Sequence, residues 1–363
     1  MKVPSIENHR DRRPILVTGG AGFIGSNLAD RLASEGHDVL IYDALARPGV
    51  EANLAWLRRR HPRRITAMIA DLRDRPALER AARSARAVFH MAAQVAVTTS
   101  LSDPEQDFDV NLRGTFFLME ALRRQSAPPA LVFASTNKVY GNLADIPLAR
   151  DGDAYLPTDR AIRDQGVGED RPLSFYTPYG CSKGAADQYV LDYARGFGVP
   201  ACVLRMSCIY GPGQLGTEDQ GWLAHFLYSV QAGRPISIYG DGRQVRDVLY
   251  VDDAVDAYIA AWERIGQVSG EAFNLGGGPA NAVTLLQIIA EIAEITGRQA
   301  DLRFSDWRPG DQRYFVADTR RATAALGLGP AVGWRDGLQR LARWIATERP
   351  RRHAAVAAAG GAA

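Results

Sequence analysis

The stretch VTGGAGFIGSNLADRL (residues 17–32) indicates a strand that turns into a helix at three glycines. The glycines are spaced G-x-x-G-x-x-G; a tight turn needs Gly19, and Gly25 lets the helix lie against the strand. Short apolar strands separated by helices continue as far as residue 134. This alternation predicts an α/β protein: a Rossmann-type, doubly wound parallel sheet with helices on both faces, followed by a smaller C-terminal α/β lobe.

The same turn predicts a dinucleotide site. A pyrophosphate can approach the backbone closely only where Gly22 has no side chain, and the start of the helix adds free N–H groups and partial positive charge. Asp43 closes the next strand at the distance expected for an acid that binds a ribose hydroxyl. Because a carboxylate there repels a 2′-phosphate, we expect NAD rather than NADP, although nearby Arg47 weakens this preference. A purely structural turn is the alternative.

Composition limits the classes of function. The chain has 363 residues, is 46% hydrophobic and 23% charged, and carries a net charge of +2, so we expect a globular protein without an electrostatic footprint for nucleic acid. No apolar run is long enough for a membrane span, and we expect no signal peptide before the first strand. The three cysteines and six histidines have neither disulfide nor metal-ligand spacing, so we expect no metal site and a cytoplasmic protein with reduced thiols.

The pattern also predicts how the chain is divided. One long helix is expected over residues 104–125, and a long stretch without periodicity, 141–175, indicates a lid or a passive insertion. The expected units are a disordered N-terminus (1–13), an NAD-binding domain (14–198, to which 240–265 returns), a nucleotide-sugar-binding lobe (199–239 and 266–350) and a disordered tail (351–363).

One helix in the last third is indicated at both ends. Thr284 and Gln287, three residues apart, form a capping box, and Gly297 is placed to end the helix. We therefore expect a helix between these positions.

A second motif is SFYTPYGCSKGAADQY (residues 174–189), in a chain with only three lysines among 43 basic residues. Tyr179 and Lys183 follow Pro178 and lie four residues apart, hence on one face of a helix. An ammonium about 4 Å from a phenol favours the phenolate by roughly 1–4 kcal/mol, and about 1.4 kcal/mol is one pKa unit. We therefore expect a lowered pKa for Tyr179 and a role as general base. A chance surface pair is the alternative.

In this order, the glycine motif, the Ser135 region and Tyr-x-x-x-Lys resemble the extended short-chain dehydrogenase/reductase superfamily, over roughly residues 14–346. The resemblance implies that Thr136 (or Ser135) hydrogen-bonds a reacting sugar hydroxyl, that Tyr179 removes its proton, and that Lys183 holds the nicotinamide ribose. It also implies further cofactor contacts from Phe23, Ile24, Asp71, Leu72, Ala92, Ala93, Gln94, Asn111 and Ser135.

The stretch STNKVYG (135–141) narrows the resemblance. In nucleotide-sugar 4,6-dehydratases an acid pair follows the active-site threonine, whereas here Asn137 and Lys138 follow it, which disfavours a dehydratase. With QVAVTTS (94–100) and PYGCSKGAADQYVLDYAR (178–195), this stretch resembles the CDP-tyvelose 2-epimerases, also called CDP-paratose 2-epimerases. The segment 205–222 departs from that subgroup's pattern.

The resemblance implies an NAD-dependent epimerase, an isomerase of carbohydrate biosynthesis that acts on a nucleotide-diphosphate sugar through a transient ketosugar. A UDP- or dTDP-sugar 4-epimerase and a non-catalytic dinucleotide-binding sensor stay open as alternatives. We expect a homo-oligomer, a dimer or a tetramer, with no nucleic-acid or membrane partner. For Lys138 a solvated loop lysine is the alternative to a substrate contact. The expected substrate contacts are Thr98, Thr136, Asn137, Lys138, Gln214, Arg246 and Arg313.

Overall fold

The structure, a computed structural model, describes residues 13–360, and of residues 348–360 the backbone alone. The strands in this part of the chain are β1 (Ile15–Thr18), β2 (Val39–Asp43), β3 (Ile65–Ile69), β4 (Ala87–His90), β5 (Ala130–Thr136), β6 (Leu148–Asp151), β7 (Ala154–Pro157), β8 (Ala201–Met206), β9 (Cys208–Tyr210), β10 (Ile236–Tyr239), β11 (Val245–Tyr250), β12 (Ala272–Leu275), β13 (Ala282–Thr284), β14 (Leu302–Ser305) and β15 (Tyr314–Phe315).

The helices are α1 (Phe23–Ser34), α2 (Val50–Arg60), α3 (Arg75–Ser84), α4 (Val97–Ser102), α5 (Pro104–Phe108), α6 (Gly114–Arg123), α7 (Arg160–Gln165), α8 (Thr177–Gly196), α9 (Trp222–Gln231), α10 (Val251–Glu263), α11 (Ile265–Val268), α12 (Leu285–Thr296), α13 (Arg320–Leu326) and α14 (Trp334–Gly360). A π-helical turn spans Asp109–Arg113, and 3₁₀ turns span Asn137–Tyr140 and Pro279–Asn281.

A seven-stranded parallel sheet in the order β12-β8-β5-β4-β1-β2-β3 confirms the predicted doubly wound fold. β1 is buried on both faces. Ile15 and Val17 pack with α1 and α10 on one side, and Leu16 packs with α3, α6 and α8 on the other. The strand order reverses at β1, which pairs with both β2 and β4. Ligands of such sheets bind at this point, beyond the carboxyl ends of the strands.

The smaller lobe differs from the predicted boundaries. β11 pairs with β9, β13 and β15, and β10 pairs with β14. β8 and β12, expected in the lobe, belong to the central sheet, where their apolar side chains fill the two helix-covered layers. Within the range 240–265, α10 packs against α1 and the central sheet, whereas β11 pairs with the strands of the lobe.

The sequence pattern indicated an irregular segment at 141–175, but the structure contains regular elements there. β6 and β7 form an antiparallel hairpin, and α7 follows it. Leu143 and Ile146 are buried, and Val167 pairs with the backbone before α13, donating to Val316 O at 2.7 Å. Most residues of the hairpin are exposed or half-buried, so its strands lack the apolar alternation that would have indicated them.

Two other expectations require correction. The single helix expected over 104–125 is divided into α5 and α6 by the π-helical turn, which contains the buried Asn111. Residues 351–360 continue α14 rather than forming part of a disordered tail, since alanine favours helix. The expectations for residues 1–12 and 361–363 lie outside the described residues. Among the described helices, none is both long and apolar enough to cross a membrane.

Candidate active site

A cavity of about 710 Å³ opens where the strand order reverses. The glycine turn after β1 forms one wall. Gly19 has φ of +68°, and a Cβ there would lie 2.7 Å from the Ala92 nitrogen. A Cβ on Gly25 would lie 2.2 Å from the Gly19 carbonyl oxygen, whereas one on Gly22 would meet only that oxygen, at 3.1 Å. The first and third glycines are therefore required by the fold, and the second borders open space.

The residues around this turn fit NAD. α1 begins at Phe23, and within the described chain no side chain caps its N-terminus, so its N–H groups are available to a pyrophosphate. The Asp43 carboxylate accepts hydrogen bonds from the Ala21 nitrogen at 2.9 Å and the Leu45 nitrogen at 2.8 Å. It is thereby fixed in the cavity wall as an acceptor for ribose hydroxyls. Arg47, also in the wall, donates to the Leu215 carbonyl oxygen at 3.0 Å.

Thr136 and Tyr179 meet in the cavity wall, at the end of β5 and the start of α8. Burial raises the pKa of the Tyr179 phenol to about 12, and the hydrogen bond between Tyr179 and Thr136 lowers it by less. This corrects the expectation of a lowered pKa. Tyr179 is only 9% exposed, so its phenolate would lose most of its hydration, a cost that the four-residue spacing cannot reveal.

Lys183 lies one helical turn further along α8 and is 3% exposed. Its ammonium donates to the Ala134 carbonyl oxygen at 2.5 Å and lies 4.2 Å from the centre of the Phe133 ring. Burial lowers the pKa of Lys183 to about 7, against the opposing effect of the Asp187 and Asp107 carboxylates. Lys183 is not among the described residues that line the cavity.

A buried ion pair between α8 and β8 lies next to the end of β5. Asp187 on α8 and Arg205 on β8 form two hydrogen bonds of 3.0 Å, and Ser135 donates to the same carboxylate at 2.7 Å. Arg205 also donates to the Tyr140 hydroxyl at 3.1 Å. These contacts fix the end of β5 relative to α8, and so fix Thr136 relative to Tyr179.

The expected phosphate-binding cations lie close together but already have a partner. Asp311 accepts from Arg246 at 2.7 Å and lies 3.6 Å from the Lys138 ammonium. Burial raises the pKa of the Cys208 thiol, which lines the cavity, and the charges of Arg246 and Lys138 oppose that rise. Arg313 instead lies over the Tyr155 and Trp307 rings, with its guanidinium carbon 5.6 and 5.2 Å from their centres.

Among the buried side-chain oxygens that have no hydrogen-bond partner within the described residues are Thr98 Oγ1 and Gln214 Oε1. Gln214 lines the cavity, and so does Thr99, next to Thr98. An unsatisfied buried acceptor costs free energy, so both oxygens suit donors from a ligand.

The structure brings most of the expected cofactor residues together. Those that line the cavity are Gly19, Gly22, Phe23, Ile24, Gly25, Asp43, Asp71, Leu72, Ala92, Ala93, Gln94, Ser135, Thr136 and Tyr179, with Gln214 from the expected substrate set. Those that do not are Thr98, Asn111, Asn137, Lys138, Lys183, Arg246 and Arg313.

Sequence reasoning missed several residues of the opposite wall. These include Met206, Ser207, Cys208, Thr217, Asp219, Gln220 and Trp222. Arg308 reaches this wall as well, 3.4 Å from Asp219, and lies over the Tyr239 ring. The one sequence feature that could have indicated these residues is that segment 205–222 departs from the pattern of the CDP-tyvelose 2-epimerases.

Comparison with known proteins identifies similar chains. A model described as the NAD dependent epimerase/dehydratase family matches residues 15–276. The CDP-paratose 2-epimerase of Salmonella typhi is 38% identical over 342 residues, covering 92% of this chain and 99% of that protein. The UDP-glucose 4-epimerase of Mycolicibacterium smegmatis is 32% identical over 324 residues, covering 89% and 95%.

Solved structures show the same similarity. UDP-glucose 4-epimerase from Thermotoga maritima, solved with UDP-glucose, has a TM-score of 0.78 and 30% identity, covering 92% of this chain and 99% of that chain. UDP-glucuronic acid 4-epimerase from Bacillus cereus, solved with UDP-glucuronic acid and NAD, has a TM-score of 0.78 and 28% identity, covering 92% and 98%.

Proposed function

Because the chain belongs to the NAD-dependent epimerase/dehydratase family and is a nucleotide-sugar epimerase that uses NAD, we propose that it inverts C2 of a CDP-linked hexose, interconverting a CDP-paratose-like and a CDP-tyvelose-like sugar. The observation that carries the proposal is the pairing of Thr136 with Tyr179 beside the glycine turn, with no acid pair after Thr136. The similarity to CDP-paratose 2-epimerase supports the choice of base and carbon.

The cofactor half of the cavity would hold NAD through the backbone after Gly22 and the carboxylate of Asp43. When bound, NAD supplies a hydride acceptor and donor, and a positively charged ring in its oxidised form. Thr136 would hydrogen-bond the reacting sugar hydroxyl and so hold its oxygen next to the Tyr179 phenol.

Tyr179 would take the proton from this hydroxyl and return it to the same oxygen after the ketosugar has turned. Since burial holds the proton on the phenol, positive charge near Tyr179 is needed for proton removal. Lys183, four residues along the helix, is the chain's own source of that charge. Holding the sugar and the base together makes the proton transfer local rather than bimolecular.

The diphosphate would be held by Arg246 and Lys138 in exchange for their contacts with Asp311, with Arg308 as a third cation at the wall. Anchoring at this end would leave the sugar free to rotate. The unsatisfied oxygens of Thr98 and Gln214 would accept hydrogen bonds from substrate hydroxyl or amino groups.

A second candidate, epimerisation at C4 of a UDP- or dTDP-sugar, is favoured by one observation. The wall formed by residues 206–222 departs from the 2-epimerase pattern, and this wall lines the cavity. The relatives named as UDP-glucose 4-epimerases are consistent with this candidate.

Turnover of CDP-, UDP-, dTDP- and GDP-hexoses tests the substrate, and Tyr179→Phe tests the site. We expect the variant to bind NAD normally but to lose about 10²–10⁴-fold in turnover, because the base is absent. Tyr189→Phe is the matched control, since Tyr189 is on the same helix and exposed. Near-native turnover by Tyr179→Phe would contradict the assignment.

The product distinguishes the reaction classes. If the hydrogen leaves a sugar carbon and returns to that carbon, turnover in heavy water gives an epimer without deuterium on the ring. NMR of the product also shows which carbon is inverted. Deuterium at a ring carbon would exclude this mechanism, and inversion at C4 would favour the second candidate.

A further inference from the structure

A fully buried carboxylate, Asp107 on α5, lies beside the active-site helix and has no part in the mechanism above. One of its oxygens accepts a hydrogen bond from Ser182, the residue before Lys183 on α8. The other accepts from Asn111 Nδ2 and from Gln94 Nε2, each at 3.1 Å. Gln94 lines the cavity, so Asp107 links the cavity wall to α8.

The orientation of both amides is fixed by backbone N–H groups. Asn111 Oδ1 accepts from the Gln94 nitrogen at 2.8 Å, and Gln94 Oε1 accepts from the Ala96 nitrogen at 2.5 Å. Each amide must therefore turn its NH₂ group towards Asp107. A carboxyl group that faces only donors is suited to its ionised form, which has acceptors alone.

Asp107 has no direct cationic partner among the described residues: its donors are all neutral, and no basic nitrogen lies within 4.0 Å. Lys183 is likewise without a carboxylate at that distance in the described chain, since its ammonium contacts Ala134 and Phe133. Burial raises the pKa of Asp107, and the Ser182 hydrogen bond and the charge of Lys183 oppose that rise. Asp107 in turn opposes the lowering of the Lys183 pKa by burial. Burying a charge costs free energy unless an opposite charge compensates it, so the Asp107 carboxylate and the Lys183 ammonium each stabilise the charged form of the other.

We propose that Asp107 is the counterion of Lys183, a positioning residue that keeps the buried ammonium charged and, through the same field, controls how readily Tyr179 releases its proton. The inference rests on the roles proposed above for Tyr179 and Lys183. It adds a residue that touches neither substrate nor cofactor and acts only through this pair.

The other charged groups around Lys183 do not replace Asp107. Asp187, on the same helix, raises the pKa of Lys183 more than Asp107 does. Both of its oxygens, however, are bound by Arg205 on β8, so that anion already has a cationic partner of its own. His90 on β4 faces Lys183 as well, but burial lowers its pKa to about 3 and it is neutral in the working range. Asp107 is therefore the unbalanced anion of this group.

The negative charge of Asp107 shifts the pKa values of Lys183 and Tyr179 in the same direction. A negative charge favours a proton on its neighbours, so Asp107 raises the pKa of the Lys183 ammonium and that of the Tyr179 phenol. Removing the charge should lower both pKa values.

The small number of lysines allows a direct test. In protein labelled with ¹³C-lysine, three lysines contribute signals, and Lys183→Arg assigns the one of interest. We expect Asp107→Asn to lower the Lys183 pKa by about 1 unit. Asp192→Asn, at an exposed carboxylate on the same helix, should leave it unchanged. An equal Lys183 pKa in Asp107→Asn and wild type would overturn the proposal.

The pH profile of turnover provides a second readout. Activity needs a deprotonated Tyr179 and a protonated Lys183, so both limbs of the profile should move to lower pH in Asp107→Asn. In Asp107→Glu, which keeps the negative charge, both limbs should lie at the same pH as in the wild type. A purely structural role would reduce turnover without moving the limbs, and that result would also overturn the proposal.

Two further outcomes are separable. If Asp107→Asn does not fold, Asp107→Ser is used instead, since it removes the charge and leaves a hydroxyl for Ser182. The lysine titration and the pH profile are then measured on Asp107→Ser with the same expected results. If Tyr179→Phe retains activity, the proposed function fails while the lysine titration still decides whether Asp107 is the counterion.

Discussion

The three glycines of the turn meet three different physical constraints. Gly19 has a positive φ, and a Cβ on Gly25 would lie 2.2 Å from the Gly19 carbonyl oxygen, so a side chain at either position would strain the fold. Gly22 has φ of −66°, which any residue adopts, and its nearest obstacle is at 3.1 Å. The fold therefore tolerates a methyl group at Gly22 better than at Gly25, and the space it would enter is the one that a pyrophosphate needs.

A pair of alanine substitutions separates these roles. Gly25→Ala should destabilise the cofactor-free protein by roughly 1–3 kcal/mol through overpacking against the Gly19 backbone. Gly22→Ala should have a free energy of unfolding within about 0.5 kcal/mol of the wild-type value. It should bind NAD about tenfold more weakly, a difference of ~1.4 kcal/mol in binding free energy. Urea denaturation and calorimetric titration with NAD measure the two effects. An equal loss of stability in both variants would contradict this assignment.

At the scale of elements, α12 shows a local signal that survives folding unchanged. The Gln287 nitrogen donates to the Thr284 hydroxyl at 3.1 Å, and Gln287 Oε1 accepts from the Thr284 nitrogen at 2.9 Å. Gly297 ends the helix with φ of +66°. The predicted capping box and helix end are both confirmed, because all the groups involved lie within one segment of the chain.

Replacing the capping threonine should destabilise the protein measurably. Thr284→Ala leaves the Gln287 N–H without its acceptor, and we expect a loss of about 0.5–2 kcal/mol in the free energy of unfolding. Thr296→Ala, in the last turn of the same helix, is the matched control: its hydroxyl donates to the Ile292 carbonyl oxygen and accepts from the Arg298 nitrogen at 3.3 Å, beyond the end of the helix. Equal losses in the two variants would show that the cap contributes nothing specific.

At the scale of the whole molecule, the buried His90 joins the central sheet to its helical layer. Its Nδ1 lies 2.6 Å from the Thr18 hydroxyl on β1, and its Nε2 lies 3.0 Å from the Thr115 hydroxyl on α6. Thr115 gives its own proton to the Asn111 carbonyl oxygen, so Nε2 must carry the hydrogen and Nδ1 accepts. The contacts suit neutral imidazole, and burial lowers the pKa of His90 to about 3.

This histidine should make the stability of the fold depend on pH. The unfolded chain binds the proton near the ordinary pKa of 6.5, and the folded chain only near 3. Between these values the unfolded state holds one proton more, so stability is greatest above pH 6.5 and falls by about 1.4 kcal/mol per unit as the pH decreases. Urea denaturation between pH 7 and 5 should give a shallower slope for His90→Gln than for wild type. Identical slopes would contradict the prediction.

The sequence by itself determined the alternation of strands and helices up to residue 134, the doubly wound class and the cofactor half of the site. Apolar periodicity, the spacing of Gly19, Gly22 and Gly25 and the placing of Asp43 are local features, so they depend little on how the elements pack. All four of these residues line the cavity.

The tertiary structure alone decided the domain boundaries, the second wall of the cavity and the charge state of the site. β8 and β12 join the central sheet although they follow it in sequence, and Cys208 faces the cavity while Arg313 does not. The pKa of Tyr179 rises rather than falls because elements far apart in sequence exclude water from the phenol. Burial and the pairing of charges are properties of the packed chain, and residue spacing carries no information about either.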